Sequence, residues 1–106
     1  MTAYSFTVAD RPSGVHKGLS GTTEDTVTID SSASPARVQI VNRATGPIYA
    51  NLNGSTAVAE ADGTIVIPAG MVYELYIGAG SPVVRLVGAA AGTWPYSVQA
   101  MPLNAV

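Results

Sequence analysis

The chain has 106 residues, no cysteine, and a formal charge of −2 from five Lys and Arg against seven Asp and Glu. That length accommodates one core and no second one, and the absence of thiols excludes disulfides, thiolate metal sites and a cysteine nucleophile. The acidic balance and scattered basic residues argue against nucleic acid as a partner, because counterion displacement needs a concentrated positive face; Arg37 and Arg43 come closest to one. Charged residues make up only 11% of the chain while apolar residues reach 47%, against about 25% charged in an average soluble domain. The shortage therefore lies in the surface, where Gly, Ala, Ser, Thr and Asn replace charge. Interface cores are depleted of charge in this way, so the composition points to a surface shared with other subunits.

In chain order, residues 4–8 form a first short alternating segment, ended by Asp10-Arg11-Pro12-Ser13-Gly14. A Gly- and Thr-rich stretch with weak alternation follows. The division expected is an arm or irregular segment over residues 1–25 and a β-sandwich domain over 26–106. The next predicted strands are 26–29, with Val27 and Ile29 inward, and 37–42, with Val38 and Ile40 inward. Gly46-Pro47 precedes a strand over 48–52. Asn53-Gly54 and Asp62-Gly63 are turn dipeptides, since both residue types tolerate positive φ. Strands over 64–67, 71–77, 83–87 and 94–100 complete the set, separated by Pro68-Ala69-Gly70, by 78–82 and by 88–92. No window shows helical spacing, and the only helix candidate is one turn over 56–60. Turn residues at this spacing predict an all-β fold: a single antiparallel β-sandwich or jelly-roll-like barrel of about eight short strands. No apolar run approaches the ~20 residues of a membrane helix. Met1-Thr2-Ala3-Tyr4-Ser5 has neither the basic nor the apolar part of a secretory leader, so synthesis in the cytosol is expected, with no membrane partner.

Catalytic chemistry finds little purchase. His16 is the single histidine; it reads as an exposed loop residue, and no serine lies in a G-x-S-x-G elbow to serve it. One His without Cys cannot build a zinc site. Most of the acids (Glu24, Asp25, Asp30, Glu60 and Asp62 among them) fall at turns or strand ends, where solvation explains them, and no D-x-D-x-D-G loop offers calcium a cage. Gly78-Ala79-Gly80 is followed by Ser81-Pro82, with no helix to hold a phosphate. No cofactor, metal, catalytic residue or small-molecule substrate is therefore expected. Among the aromatics, Tyr73 shares a face with Met71, Leu75 and Ile77, and Trp94 and Tyr96 share one with Val98, so these read as core. Tyr49 and Tyr76 fall on the outward sets. The strands over 71–77 and 83–87 carry apolar residues on both faces, Val72 and Tyr76 in the first and Val83 and Val87 in the second. Strands apolar on both sides are usually covered on both sides, and the second cover is expected from another chain.

The run Val38-Gln39-Ile40-Val41-Asn42-Arg43, then Gly46-Pro47-Ile48-Tyr49-Ala50-Asn51-Leu52-Asn53-Gly54-Ser55, resembles small β-structured virion proteins of tailed bacteriophages, as does the turn Ile67-Pro68-Ala69-Gly70. The closing Val84-Arg85-Leu86-Val87 and Thr93-Trp94-Pro95-Tyr96-Ser97-Val98 fit the same pattern. The likeness covers roughly residues 37–99 and leaves the N-terminal third unmatched. It implies a non-enzymatic capsid decoration (cement) protein on the virion surface, partnered by the major capsid protein and commonly trimeric. On that reading Thr2, Tyr4, Phe6, Arg11, His16 and Lys17 of the arm touch the capsid, and Tyr49, Val72, Tyr76 and Val83 pack between subunits. The alternative is a tail-tip or head-fibre adhesin that presents Tyr49, Tyr76 and the turn near Asn51 to Gly54 to a host-surface glycan.

Overall fold

Ala36–Asn42 shows most plainly how the sequence becomes structure: alternate residues, from Ala36 to Asn42, are fully buried and those between are half-buried. A period of two is the signature of a pleated strand with one face on a core. The computed structural model describes residues 2–54, 57–58 and 62–103. Among them are nine strands: β1 (Thr2–Thr7), β2 (Ser13–Ser20), β3 (Asp25–Asp30), β4 (Ala36–Asn42), β5 (Ile48–Asn51), β6 (Ile65–Ile67), β7 (Val72–Ile77), β8 (Val83–Gly88) and β9 (Thr93–Pro102). They form a five-stranded sheet in the order β1-β3-β8-β5-β6 and a four-stranded sheet in the order β2-β9-β4-β7. The fold is an all-β sandwich. Val27, Ile29, Ile48 and Leu86 of the first sheet meet Leu19, Val38, Ile40, Tyr96 and Val98 of the second in one buried cluster. Full burial of each large aliphatic side chain stabilises the fold by about 1.5–3 kcal/mol.

The N-terminal third departs from the expected arm. Thr2–Thr7 pairs with β3, and Ser13–Ser20 pairs with β9 along its whole length, so residues 2–20 supply one edge strand to each sheet. Alternation was obscured there for two reasons. Lys17 occupies a core-facing position of β2 beside Val15 and Leu19, and its Nζ lies 4.7 Å above the Tyr4 ring rather than in bulk water. Gly14, which reads as a turn residue, instead allows close approach of β2 to β9: a Cβ there would lie 2.7 Å from the Val98 carbonyl oxygen. The β1–β3 pair is parallel, whereas every other pairing is antiparallel. The chain leaves β1 for the opposite sheet and returns to β3, a crossover that makes a parallel neighbour attainable.

Two expectations about faces are also corrected. Tyr49 is outward on β5 yet only 8% exposed, because Tyr49, Ala57 and Val87 form a small second cluster on the outer side of the five-stranded sheet. Val87 of β8 is thus covered by the chain's own β5–β6 connection. Glu24 fastens that connection, accepting from the Ala57 amide at 2.7 Å and from Arg85 Nη1 at 3.0 Å. Tyr73, read as core, is 37% exposed, since β7 is the last strand of its sheet; Leu75 and Ile77 on the same face do pack on the core. The helical turn expected over 56–60 lies outside the described residues except at Ala57 and Val58, which are not helical.

Candidate functional site

The outer face of the four-stranded sheet carries a row of interacting polar side chains. Register puts His16 of β2, Ser97, Gln99 and Met101 of β9, Arg37 and Gln39 of β4, and Val72, Glu74 and Tyr76 of β7 on this side. Cross-strand bonds tie the row together. Gln99 Nε2 donates to Gln39 Oε1 at 2.8 Å, Gln39 Nε2 donates to Glu74 Oε2 at 3.1 Å, and Arg37 Nε stands 3.9 Å from the same carboxylate. An open depression of about 290 Å³ lies at the β2–β9–β4 end, lined by Pro12, Gly14, His16, Arg37, Gln99 and Met101 among others.

His16 is not a loop residue. It sits on β2 opposite Ser97, with Nδ1 2.7 Å from Ser97 Oγ, and Arg43 Nε donates to that oxygen at 2.9 Å. With Arg43 as donor, the hydroxyl proton is free to point at Nδ1 whenever the imidazole carries its proton on Nε2. A hydroxyl bonded to an imidazole has half the look of a nucleophile and its base. Yet Ser97 is only 3% exposed, and the one acid on this face, Glu74, is on β7, three strands from β2. Among the described residues no carboxylate orients His16, and Ser97 is covered, whereas that chemistry uses an orienting acid and an accessible nucleophile. Among the described residues no three His, Cys, Asp or Glu side chains gather as metal ligands.

The most perturbed titratable pair is interior. Tyr96 Oη donates to Asp25 Oδ2 at 3.0 Å, and both residues are buried. Burial raises the Asp25 carboxyl above its ordinary range, partly opposed by the Tyr96 hydroxyl and the Thr2 amide. Burial, with the adjacent carboxylate, holds the Tyr96 phenol far above its own range. Both side chains lie in the interior of the sandwich. Asp25 was missed because an acid at a strand start usually faces water; the signal available was its even spacing from Val27 and Ile29. Asp30 behaves as a turn acid should, its carboxyl lowered by the Ser32 hydroxyl and amide.

The residues singled out in sequence do not form one surface. Thr2, Tyr4 and Phe6 lie on β1, with Tyr4 and Phe6 half-buried against the core, and Lys17 joins Tyr4. Arg11 is exposed in the β1–β2 connection, and His16 points to the opposite side of β2 from Lys17. Val83 is half-buried on the outer side of the five-stranded sheet, Tyr49 is covered there, and Asn51 is buried. Val72 (50% exposed) and Tyr76 (65% exposed) alone stand together in the open, on β7, with Met71 exposed at its start. Among the described residues β7 is an edge strand, paired only with β4. It has no proline and one charged residue, Glu74, so it lacks the lysines, prolines and bulges that usually blunt an edge.

No protein-family model and no curated protein matches the chain. Solved structures do share its fold. A de novo designed double-stranded beta-helix superposes with a TM-score of 0.60 at 13% identity, over 83% of this chain and 97% of that one. PliG of Aeromonas hydrophila, a periplasmic inhibitor of g-type lysozyme, gives 0.56 at 10% identity, over 94% and 96%. The Yersinia pseudotuberculosis-derived mitogen gives 0.52 at 15% identity, over 92% and 90%. At such identities the likeness extends to the fold alone, and the varied roles of these proteins illustrate that one sandwich hosts many functions.

Proposed function

We propose that the chain is a non-enzymatic structural subunit that works by packing against neighbouring proteins, as a decoration protein on a tailed-phage capsid. The observation that carries this is β7: an unblunted sheet edge whose outer side shows Val72 and Tyr76, in a chain with only 11% charged residues. Edge strands with exposed apolar side chains invite pairing, and a subunit meant to stay single would be expected to guard this one. The resemblance of residues 37–99 to small virion proteins supplies the assembly: a shell whose major capsid protein the subunit bridges, adding buried area at each joint. Repetition over the shell, and copies held together, would multiply a modest contact into firm attachment. The protein should sediment with expanded phage heads and raise their melting temperature. Heads that neither retain it nor gain stability defeat the reading.

A second reading draws support from the 290 Å³ depression between His16, Arg37 and Gln99. Amide, imidazole and guanidinium groups beside the Pro12 ring offer hydrogen bonds and an apolar surface, as sugar sites do, which would suit an adhesin for a host glycan. Tyr49, being covered, has no part in it. Glycan-array binding lost in Gln99→Ala separates this reading from the first, which expects no such binding.

A further inference from the structure

β7 has a register in which it is complementary to itself. The ladder with β4 runs through the bond from the Asn42 amide to the Met71 carbonyl, so pairs at every second position beyond it, Ile40–Tyr73, Val38–Leu75 and Ala36–Ile77, are the hydrogen-bonded ones. The backbone N–H and C=O of Val72, Glu74 and Tyr76 therefore face the free edge. A second strand added there antiparallel must keep outer side chains opposite outer side chains. Two registers then overlap well. Centring on Glu74 sets the two Glu74 residues directly opposite each other, Cα atoms about 5.5 Å apart, where like charges destabilise. Centring on Leu75 sets Glu74 opposite Tyr76, Tyr73 opposite Ile77 and Val72 opposite Gly78. It also puts each copy's Glu74 in the same cross-strand row as the other's Arg37, which pairs with Tyr76 on β4, so charge is complementary along both rows.

We propose that two copies of this chain join edge to edge through β7, antiparallel and centred on Leu75, merging their four-stranded sheets into one of eight strands. The inference rests on β7 being an assembly edge, as proposed above, but not on which assembly it serves. A two-fold pair also differs from the trimer that the virion resemblance implies. One strand pair is a small interface, below the roughly 1,200 Å² of a stable complex, so the dimer should form and dissociate with concentration.

The absence of cysteine makes the test clean. Val72→Cys and Gly78→Cys leave Glu74 and Tyr76 intact; Val72 is half exposed, and a Cβ at Gly78 meets nothing within 4 Å. In the proposed register these positions face each other across the dimer at about 5.5 Å, within disulfide reach, whereas either position lies about 20 Å from its own copy. Mixing the two variants under mild oxidant should give a disulfide dimer at least tenfold faster than either alone. Sedimentation of the cysteine-free protein should show dimer at high concentration, and Tyr76→Pro, which removes an N–H unused within one copy, should be monomeric at the same concentration. Failure of the mixture to cross-link, cross-linking of one variant alone at the same rate, a trimeric mass, or a Tyr76→Pro dimer each overturns the proposal. Head binding without self-pairing would leave the structural role standing and remove only this interface.

Discussion

Tyr96→Phe removes one oxygen from the centre of the sandwich, and the structure gives both the size and the pH dependence of the loss. The Tyr96 hydroxyl donates to a buried Asp25 carboxylate at 3.0 Å, and a hydrogen bond to a charged group is worth about 1.5–3 kcal/mol. For a domain of this length that corresponds to a fall in Tm of roughly 7–13 °C at neutral pH. Because burial raises the Asp25 pKa from 3.8, the folded state holds this proton more tightly than the unfolded chain. The group's own contribution therefore favours folding as pH falls through the folded pKa toward 3.8, and that benefit is lost as pH rises. Below that raised pKa the carboxyl is protonated and the hydrogen bond is between neutral groups, so the variant should lose only about 0.5–1.5 kcal/mol there. Urea unfolding followed by fluorescence of Trp94, the single tryptophan, measures both values. The same reduction should appear on an Asp25→Asn background at neutral pH. An equal loss at both pH values, or no loss at either, would refute the charged-acceptor account.

Asn42→Ala should cost about 3 kcal/mol or more by thermal melting, because its buried amide donates to the Gly46 and Ile67 carbonyls and its oxygen accepts from Ala44; orphaned buried partners each cost about 1–3 kcal/mol. Gly88→Ala should cost about 1–3 kcal/mol and shift Trp94 emission, since the new Cβ would stand 2.7 Å from Trp94 Cδ1. Glu24→Ala should leave the core intact but speed elastase cleavage at Ala57–Val58 several-fold, because the carboxylate that fastens Ala57 and Arg85 is gone; an unchanged cleavage rate would show that the Tyr49–Val87 contacts hold that connection alone.

Much of the sandwich was legible because burial follows a period of two wherever one face meets the core, as in Val38 and Ile40 or Tyr96 and Val98. What alternation cannot tell is what lies over the other face. Tyr49 and Tyr76 look alike in sequence, both outward on short strands. One is roofed by a connection that returns after Asn51, and the other stands on an edge. Nor does a residue's class reveal its use when packing overrides it. Lys17 faces inward because its stem and ammonium find Tyr4. Gly14 and Gly88 read as turn residues but are contact points for another strand and for Trp94. The polar row through Gln99, Gln39 and Glu74 was hidden for a different reason: its members come from three separate strands, and only the pairing brings them together.

The placement of β9 sets the order of events during synthesis. It follows every other described strand in the chain, yet it lies between β2 and β4 and, among the described residues, is the one strand paired with β2. Until residues 93–102 leave the ribosome, the second sheet can be no more than the β4–β7 pair, and β2 must wait unpaired beside a half-covered core. Distant partners of this kind close slowly, since loop entropy is spent before their contacts form. The nascent chain is thus most vulnerable to aggregation just before β9 emerges, and a truncation that removes β9 should yield insoluble protein rather than a smaller domain.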